Sequence, residues 1–466
     1  MPVLVTAMAV SQLAFSARSA EPNPPKWPKS VAVFGPGDTG TEEVIAAAYA
    51  VNGGHVPANH GQFSSKRFAF LFKPGSYDVN VPVGYYTQVL GLGAAPSDVT
   101  FTSPRGVYSE EQDYTITGAL DTFWRSAENF RTLASEDWQV GKGMMWAVSQ
   151  AAPLRRVDVA NDLLLYEYQP PIPAAGEASG GFMANIRVGA GVHRVARPHT
   201  YSAAAATTNS SSQNRPGEGS GFGGGSGGGG SRLRATSGVQ PGSQQQWFSR
   251  DCTLSSWAGG VWNVVFSGVE GAPPSHCGNV QEDNPGSAAA DGAATGQGAS
   301  PVTTLSATPA VAEKPYVTID ASGRYQLRIP PVQRGTRGAR FLDADNGTRV
   351  VDFSEVYVTQ PTDSASAINA KLAEGKHIVF SPAVYGIEEA LVVKHAGQVR
   401  QRRARVRACT CTPRCLPCTS PTLSRVLPPA CERPRASSPP PNLPLPPPIL
   451  FPSPSSPIPY DPTYQT

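Results

Sequence analysis

The stretch that most restricts the fold is Phe70-Leu71-Phe72-Lys73-Pro74-Gly75-Ser76-Tyr77-Asp78-Val79-Asn80-Val81-Pro82-Val83. It reads as a short apolar strand, a Pro-anchored corner, an aromatic residue and then alternating apolar positions. That is the pattern of an extended chain turning a corner into a second strand. The unit returns in weaker form at Val379-Phe380-Ser381-Pro382-Ala383-Val384-Tyr385-Gly386-Ile387. Upstream of the first copy lie Val31 to Phe34 and a helical run from Glu42 to Val51; upstream of the second lie Val350 to Phe353 and a helical run from Ser364 to Ala373. One supersecondary unit occurs twice, and a repeat is read before any single motif because it sets the architecture.

Between Val99 and Val192 the texture is short strands separated by turns. The apolar centres Phe130, Val157 and Ile186 recur at the spacing of a β-solenoid coil, in which each coil buries its inward residues against its neighbours. Gly 47, Pro 46 and only 16% charged residues suit a turn-rich β protein. Thr39 with Glu42 predicts a capping box for the first helix, which would cover the open end of the stack. Residues 199–240, nearly pure Gly and Ser at their centre, read as a low-complexity insertion, and 279–305 as a polar linker. Pro315 to Pro331 predicts a hairpin leading into the second copy.

The second copy then stops. By its own template Gln398-Val399 would continue into Leu-Gly-Leu-Gly, but Arg400 to Arg407, a Cys-rich patch and a Pro/Ser tail follow. No strand or helix periodicity is legible there, so residues 400–466 are expected to be disordered and not the natural continuation, from a read-through intron or a frame shift.

A strand, a helix capped near Thr-Asp and a strand ending in Pro-Gly-x-Tyr resemble the opening of a pectate-lyase-type right-handed β-helix. Two such openings resemble the tandem β-helix secreted proteins of glucan 1,3-β-glucosidase type, some of whose relatives carry the label adenylyl cyclase. The resemblance covers about residues 28–400. It implies an all-β, right-handed parallel β-helix (pectin-lyase-like) over 28–310 with an N-terminal capping helix, a truncated opening of a second over 311–399, and action on a polysaccharide. In tandem-helix glucanases it implies a cleft between the helices with the catalytic acid in the second, for which this chain offers no matching residues.

Met1 to Ala20, with the apolar run Val3 to Phe15, reads as a secretory signal peptide and predicts an extracellular protein. The sequons at Asn209 and Asn346 agree with secretion. A net charge of +3, with much of the basic excess in one Arg cluster, gives no nucleic-acid footprint on the body, and no later run has the length of a membrane span. The chain is expected to be a monomer without a cofactor. Gly35-Pro36-Gly37-Asp38-Thr39-Gly40 matches a dinucleotide fingerprint literally. It lacks the acidic residue about twenty positions on, however, and Pro36 removes a phosphate-binding N–H. It is a turn.

Cys409, Cys411, Cys415 and Cys418 lack a nearby His, so no metal site is expected. Cys252 and Cys277 are candidates for a disulfide across neighbouring coils. Flat aromatic faces stack on sugars. Trp124, Trp247, Trp257 and Trp262 are therefore candidate substrate-binding residues, although most tryptophans here are expected to fill the interior. Glycoside hydrolysis needs two carboxyls flanking a cleft. Of Asp121, Glu128, Asp158, Asp162, Glu167, Asp251 and Glu270, the two singled out are Asp251, beside Arg250, and Glu270, at a coil end. A lyase-like alternative would use Asp158 and Asp162 for Ca²⁺ with Arg155 or Arg156 as base. The leading expectation is a secreted carbohydrate-active β-helix protein, glycoside-hydrolase-like, with activity lost if the second helix is cut short. The alternative is a non-catalytic glycan-binding wall or matrix protein.

Overall fold

The computed structural model describes residues 20–53, 61–110, 122–138, 141–167, 178–189, 238–240, 244–257, 263–275, 301–341, 347–394, 397–398, 400–401 and 406–408. All belong to one compact unit, Met1–Pro413. Its backbone is one long parallel sheet. Val31–Phe34, Phe68–Phe72, Thr87–Gly91, Ser126–Thr132, Leu154–Val159, Gly181–Val188, Gln246–Arg250, Asn263–Ser267 and Val302–Leu305 lie side by side in chain order. Each strand pairs in parallel with the next, so the chain returns to the same sheet once per coil. Intervening segments build a second sheet, where Lys142–Met145, Asp162–Leu164 and Val239–Gln240 are also parallel.

The register explains the apolar spacing. Phe130, Val157 and Ile186 are direct neighbours on successive strands, and all are fully buried. Inside the first coils Phe34, Phe72, Phe101 and Phe130 form a continuous stack with centroid separations of 5.1, 4.9 and 5.3 Å. Tilted and edge-to-face rings fill a coil interior at the separations aromatic pairs prefer. The helix α1, Thr41–Asn52, places Ile45 and Ala48 in the same core and closes that end of the stack. Its N-cap is Gly40 at φ 81°, without a side-chain cap, in place of the expected box on Thr39 and Glu42. The preceding loop is closed by Asp38, whose carboxylate accepts from Gly35 N at 2.6 Å.

One bend is built from a column of left-handed residues. Asn129, Arg156, Asn185 and Asp251 have φ of 61°, 49°, 56° and 50° and occupy matching positions in successive coils. This conformation costs an L-residue about 1–2 kcal/mol, and Asn and Asp tolerate it best through local hydrogen bonds. Asn129 Nδ2 donates to Gly91 O and Gly93 O, both at 2.8 Å. Gly91 is obligatory here, because a Cβ would stand 1.9 Å from Asn129 O. Asn129→Ala is expected to cost about 2–4 kcal/mol in a chemical melt, by stranding two buried carbonyls in an unfavourable backbone conformation.

Strand Phe68–Phe72 is apolar throughout because both its faces are covered. Phe70 and Phe72 face the coil interior, while Ala69 and Leu71, with Leu90 and Leu92, face a second core. That second core is completed by Val317, Leu327, Val351, Phe353, Val356 and Val379, so the later segment docks on the outside of the first coils. The hairpin is Tyr316–Ile319 with Tyr325–Ile329. Arg349–Asp352 joins it antiparallel, so Val350 to Phe353 is not the counterpart of Val31 to Phe34. A parallel pair instead forms between Val356–Val358 and His377–Val379, with α2 (Ala365–Ala373) between them, capped by Ser364 Oγ accepting from Ala367 N at 3.2 Å. Tyr77 and Tyr385 each donate to the carbonyl four residues back, Lys73 and Ser381, at 2.6 and 3.1 Å.

Two expectations about boundaries are corrected. Val302–Leu305 is a strand of the long sheet, so the polar linker ends before it. Regular structure also continues past residue 400: Arg400–Gln401 pairs with His377–Val379, and Val406–Ala408 with Tyr385–Ile387. Parallel pairing needs only backbone groups in register, which an arginine-rich composition hides. Residues 1–19 and 409–466, with Asn209 and Asn346, lie outside the described residues.

Burial, with Arg349 Nη2 3.1 Å away, holds the His377 imidazole below its usual range. The unfolded chain therefore binds a proton first. Stability is fully present above the unfolded value of about 6.5 and declines as pH falls from there toward the folded pKa. His377→Gln is expected to flatten that slope in melts between about pH 5 and 7.

Candidate functional site

The outward face of the long sheet carries a row of charges at one register position: Glu128, Arg155 and Arg250, with Ala184 between the arginines. A connector leaving the strand Thr308–Ala312 crosses this row and lays Glu313 and Lys314 upon it. Arg250 grips both Glu313 oxygens, at 2.7 and 2.8 Å, and Asp251 Oδ2 at 3.0 Å. Lys314 Nζ donates to both oxygens of Glu128. Arg155 sits over the Phe182 ring at 4.6 Å, and burial holds its guanidinium below the usual arginine range. Further along, Tyr316 covers Arg156 at 4.2 Å, and Asn185 is pinned by Arg340, accepting from its N–H at 2.6 Å and donating to its carbonyl at 2.9 Å.

Under the connector is a cavity of about 20 Å³, lined by Asn185, Asp251, Glu313, Gln333, Thr336, Gly338 and Arg340. Asp251 therefore does line a pocket, with its Oδ2 held by Arg250. Glu270 does not line it. Its Oε2 accepts from Thr253 Oγ1 at 3.0 Å, and that hydroxyl accepts from Ala339 N at 2.9 Å. The segment from Gly338 to Arg340 thus passes both carboxylates, but they do not face each other across one cleft.

The aromatic candidates divide. Trp247 is 2% exposed and belongs to the coil interior, so it is not a substrate-binding residue: its strand position points inward, over Gly181 of the preceding coil. Trp257 is half-buried and packs edge-on against Phe266 at 4.9 Å. Trp262 lies outside the described residues. Trp124 is half-buried and stacks on Tyr86, with centroids 5.5 Å apart and planes 9° apart, and Arg67 lies over Tyr86 at 3.4 Å. Tyr86 and Trp124 both hold left-handed backbone, φ 56° and 53°, and Tyr86 N donates to Trp124 O at 2.7 Å. Bulky residues rarely adopt that conformation, and spacing alone did not indicate the stack. An outward pair, Phe182 and Phe248 at 5.4 Å, was also missed.

Cys252 is a free thiol, fully buried, which pushes its pKa up to about 12, and its Sγ donates to Arg250 O at 3.3 Å. Cys277 lies outside the described residues. The lyase-like quartet is scattered: Asp158 lies 3.7 Å from Arg131 with its pKa raised by burial, Asp162 accepts from Gly238 N at 2.8 Å, and Arg156 belongs to the bend column. Among the described residues no group of His, Cys, Asp and Glu is placed to hold a metal, and no helix is long and apolar enough to cross a membrane.

No protein-family model matches the chain. An exo-β-1,3-glucanase of Streptomyces sp. (strain SirexAA-E / ActE) is 31% identical over 339 residues, 72% of this chain and 43% of that protein. The structure of sacteLam55A from Streptomyces sp. SirexAA-E superposes with a TM-score of 0.56 and 28% identity over 78% of this chain and 50% of that one. A variant of the same enzyme in complex with glucose gives 0.56 and 28% over 80% and 52%. The chain is thus similar over most of its own length to exo-β-1,3-glucanases, and spans about half the length of the relatives it matches.

Proposed function

We propose that this chain is part of a secreted glycoside hydrolase acting on β-1,3-glucan, built on a right-handed parallel β-helix. The observation that carries the reading is 31% identity to an exo-β-1,3-glucanase over 339 residues, together with the like course of the chain in the solved relative. A right-handed winding is supported by the sheet topology, because crossovers between parallel strands of one sheet are right-handed in nearly all cases. The apolar run Val3 to Phe15 supports secretion.

A second reading, glycan binding without turnover, is favoured by the carboxylates themselves. Hydrolysis needs one carboxyl as acid and another as base or nucleophile. Here Glu128 and Glu313 are committed to Lys314 and Arg250, and Glu270 to Thr253. The readings separate when the full chain is incubated with soluble and insoluble β-1,3-glucan. Release of glucose supports the hydrolase, and retention on the insoluble polymer without release supports the binder. Neither release nor retention removes both.

A further inference from the structure

Strand Gln246–Arg250 reverses the order of polar and apolar residues expected where a sheet meets water. Trp247 points into the coil, so Ser249 does too, while Gln246, Phe248 and Arg250 point out. Ser249 is fully buried between the interior residues Met183 and Phe266 of the neighbouring strands, and its Oγ has no hydrogen-bond partner among the described residues. Phe248, on the other face, is 37% exposed. A strand with one face on the core carries its apolar residues inward. Places where a chain breaks that rule are where function is expected.

The exposed ring is part of a row. Register sets Phe182, Phe248, Val265 and Thr303 side by side on four successive strands of the long sheet. Arg155 lies over Phe182 at 4.6 Å, and Phe182 packs on Phe248 at 5.4 Å, so the aromatic pair is held from behind. Val265 is 36% exposed and Thr303 is exposed, so the row steps down from two rings to a small floor. Two positions upstream, the exposed amides Gln246 and Asn263 are register partners and border Phe248 and Val265. Neighbouring strands lie about 4.8 Å apart, so Phe248 to Thr303 spans about 10 Å.

The chemistry of this face selects its occupant. Of its outward positions on the last three strands only Arg250 is ionised, and Glu313 and Asp251 already neutralise it, so a charged polymer finds no counter-charge. Phe248, Val265 and Leu305, at 36–40% exposed, offer far less apolar area than the roughly 800 Å² per partner of a stable protein interface. An aromatic wall over a small apolar floor, edged by carboxamides and a hydroxyl, suits a neutral molecule with apolar ring faces and hydroxyls at its rim. A glucose ring has that form. We infer that this face is a surface site on which glucose rings of a β-1,3-glucan stack against Phe248 and Val265 and hydrogen-bond to Gln246 and Asn263. The inference rests on the proposed function. Both carboxylates beside the face are spent on Arg250, so the site holds polymer and does not cut it.

The test is retention of the full chain on increasing amounts of insoluble β-1,3-glucan, for the wild type, Phe248→Thr and Phe248→Trp, with a thermal melt of each. Threonine keeps the preference for strand while removing the ring. Phe248→Thr is expected to bind about tenfold more weakly or worse, and Phe248→Trp at least as tightly as the wild type. A purely structural phenylalanine would lower the melting temperature and leave retention per folded molecule unchanged, which overturns the site. Should Phe248→Thr fail to fold, the exposed double variant Gln246→Ala with Asn263→Ala decides, with the same loss expected. Wild-type retention in the folded variants overturns the surface site and leaves the glucan reading intact. A concentration-dependent dimer of the wild type that Phe248→Thr abolishes puts a second copy on this face and also overturns it. A wild type that is neither retained on β-1,3-glucan nor releases glucose from it overturns the site and the proposed function together.

Discussion

Glu313→Ala is expected to destabilise the chain by about 3–5 kcal/mol, the cost of removing one partner from a buried ion pair. Both side chains of the Arg250–Glu313 pair are well covered, at 12% and 15% exposed. Truncation leaves the guanidinium with Asp251 alone, and two of its hydrogen bonds disappear. Burial is the largest influence and works against the Arg250 charge; the Glu313 hydrogen bonds together with the negative charges of Glu313 and Asp251 more than offset it, holding its pKa above the usual value. The double replacement Arg250→Met with Glu313→Leu is expected to cost much less than the single change, because no unpaired charge remains. Urea melts of Arg250→Met, Glu313→Leu and the double variant give the coupling energy directly. A loss below about 1 kcal/mol for Glu313→Ala would place the pair among solvated surface bridges, and the connector would then not be clamped to the coils.

Trp247→Ala is expected to cost about 3–5 kcal/mol, the range for truncating a large buried aromatic. Its ring is nearly sealed and lies against Gly181, where a Cβ would come within 2.4 Å of it. Retention on insoluble β-1,3-glucan, measured per folded molecule, is expected to stay at the wild-type level. Lost retention with an unchanged melt would instead place the indole on the surface as a sugar platform. Trp124 is the contrasting case, since among the described candidates it is the tryptophan that stacks flat on a second ring.

How far the sequence could be read differs between elements for physical reasons. Phe130, Val157 and Ile186 are legible because stacked coils impose one period on their inward residues. Helix α1 is legible from its apolar spacing, but not its cap, since Gly40 caps by backbone conformation alone. Val350 to Phe353 misleads because four apolar-rich residues suit an antiparallel edge and a parallel coil equally well. Trp247 misleads because an aromatic beside a strand carries no mark of which face it takes until the register is known. For the candidate site, the sequence singled out Asp251 beside Arg250, but not Glu313, Lys314 or Thr336, which lie 62 to 85 positions further along. Nothing local signals that a connector will fold back across a bend.

What the sequence determined by itself is the kind of backbone: short strands at coil spacing, glycines where the chain must bend tightly, and a strand–corner–tyrosine unit at two places. Those follow from interactions within one coil or between adjacent ones, and so they leave a periodic trace. Tertiary structure alone decided which faces are buried twice, which carboxylates are neutralised and where an unmatched oxygen is left. Phe68–Phe72 shows both levels. Its unbroken apolar run is plain in the sequence, but the reason for it, a second core closing over Ala69 and Leu71, comes from residues some 250 to 300 positions later. Contacts over such separations depend on how the coils stack and where the connector lands, and no local pattern of residues encodes that.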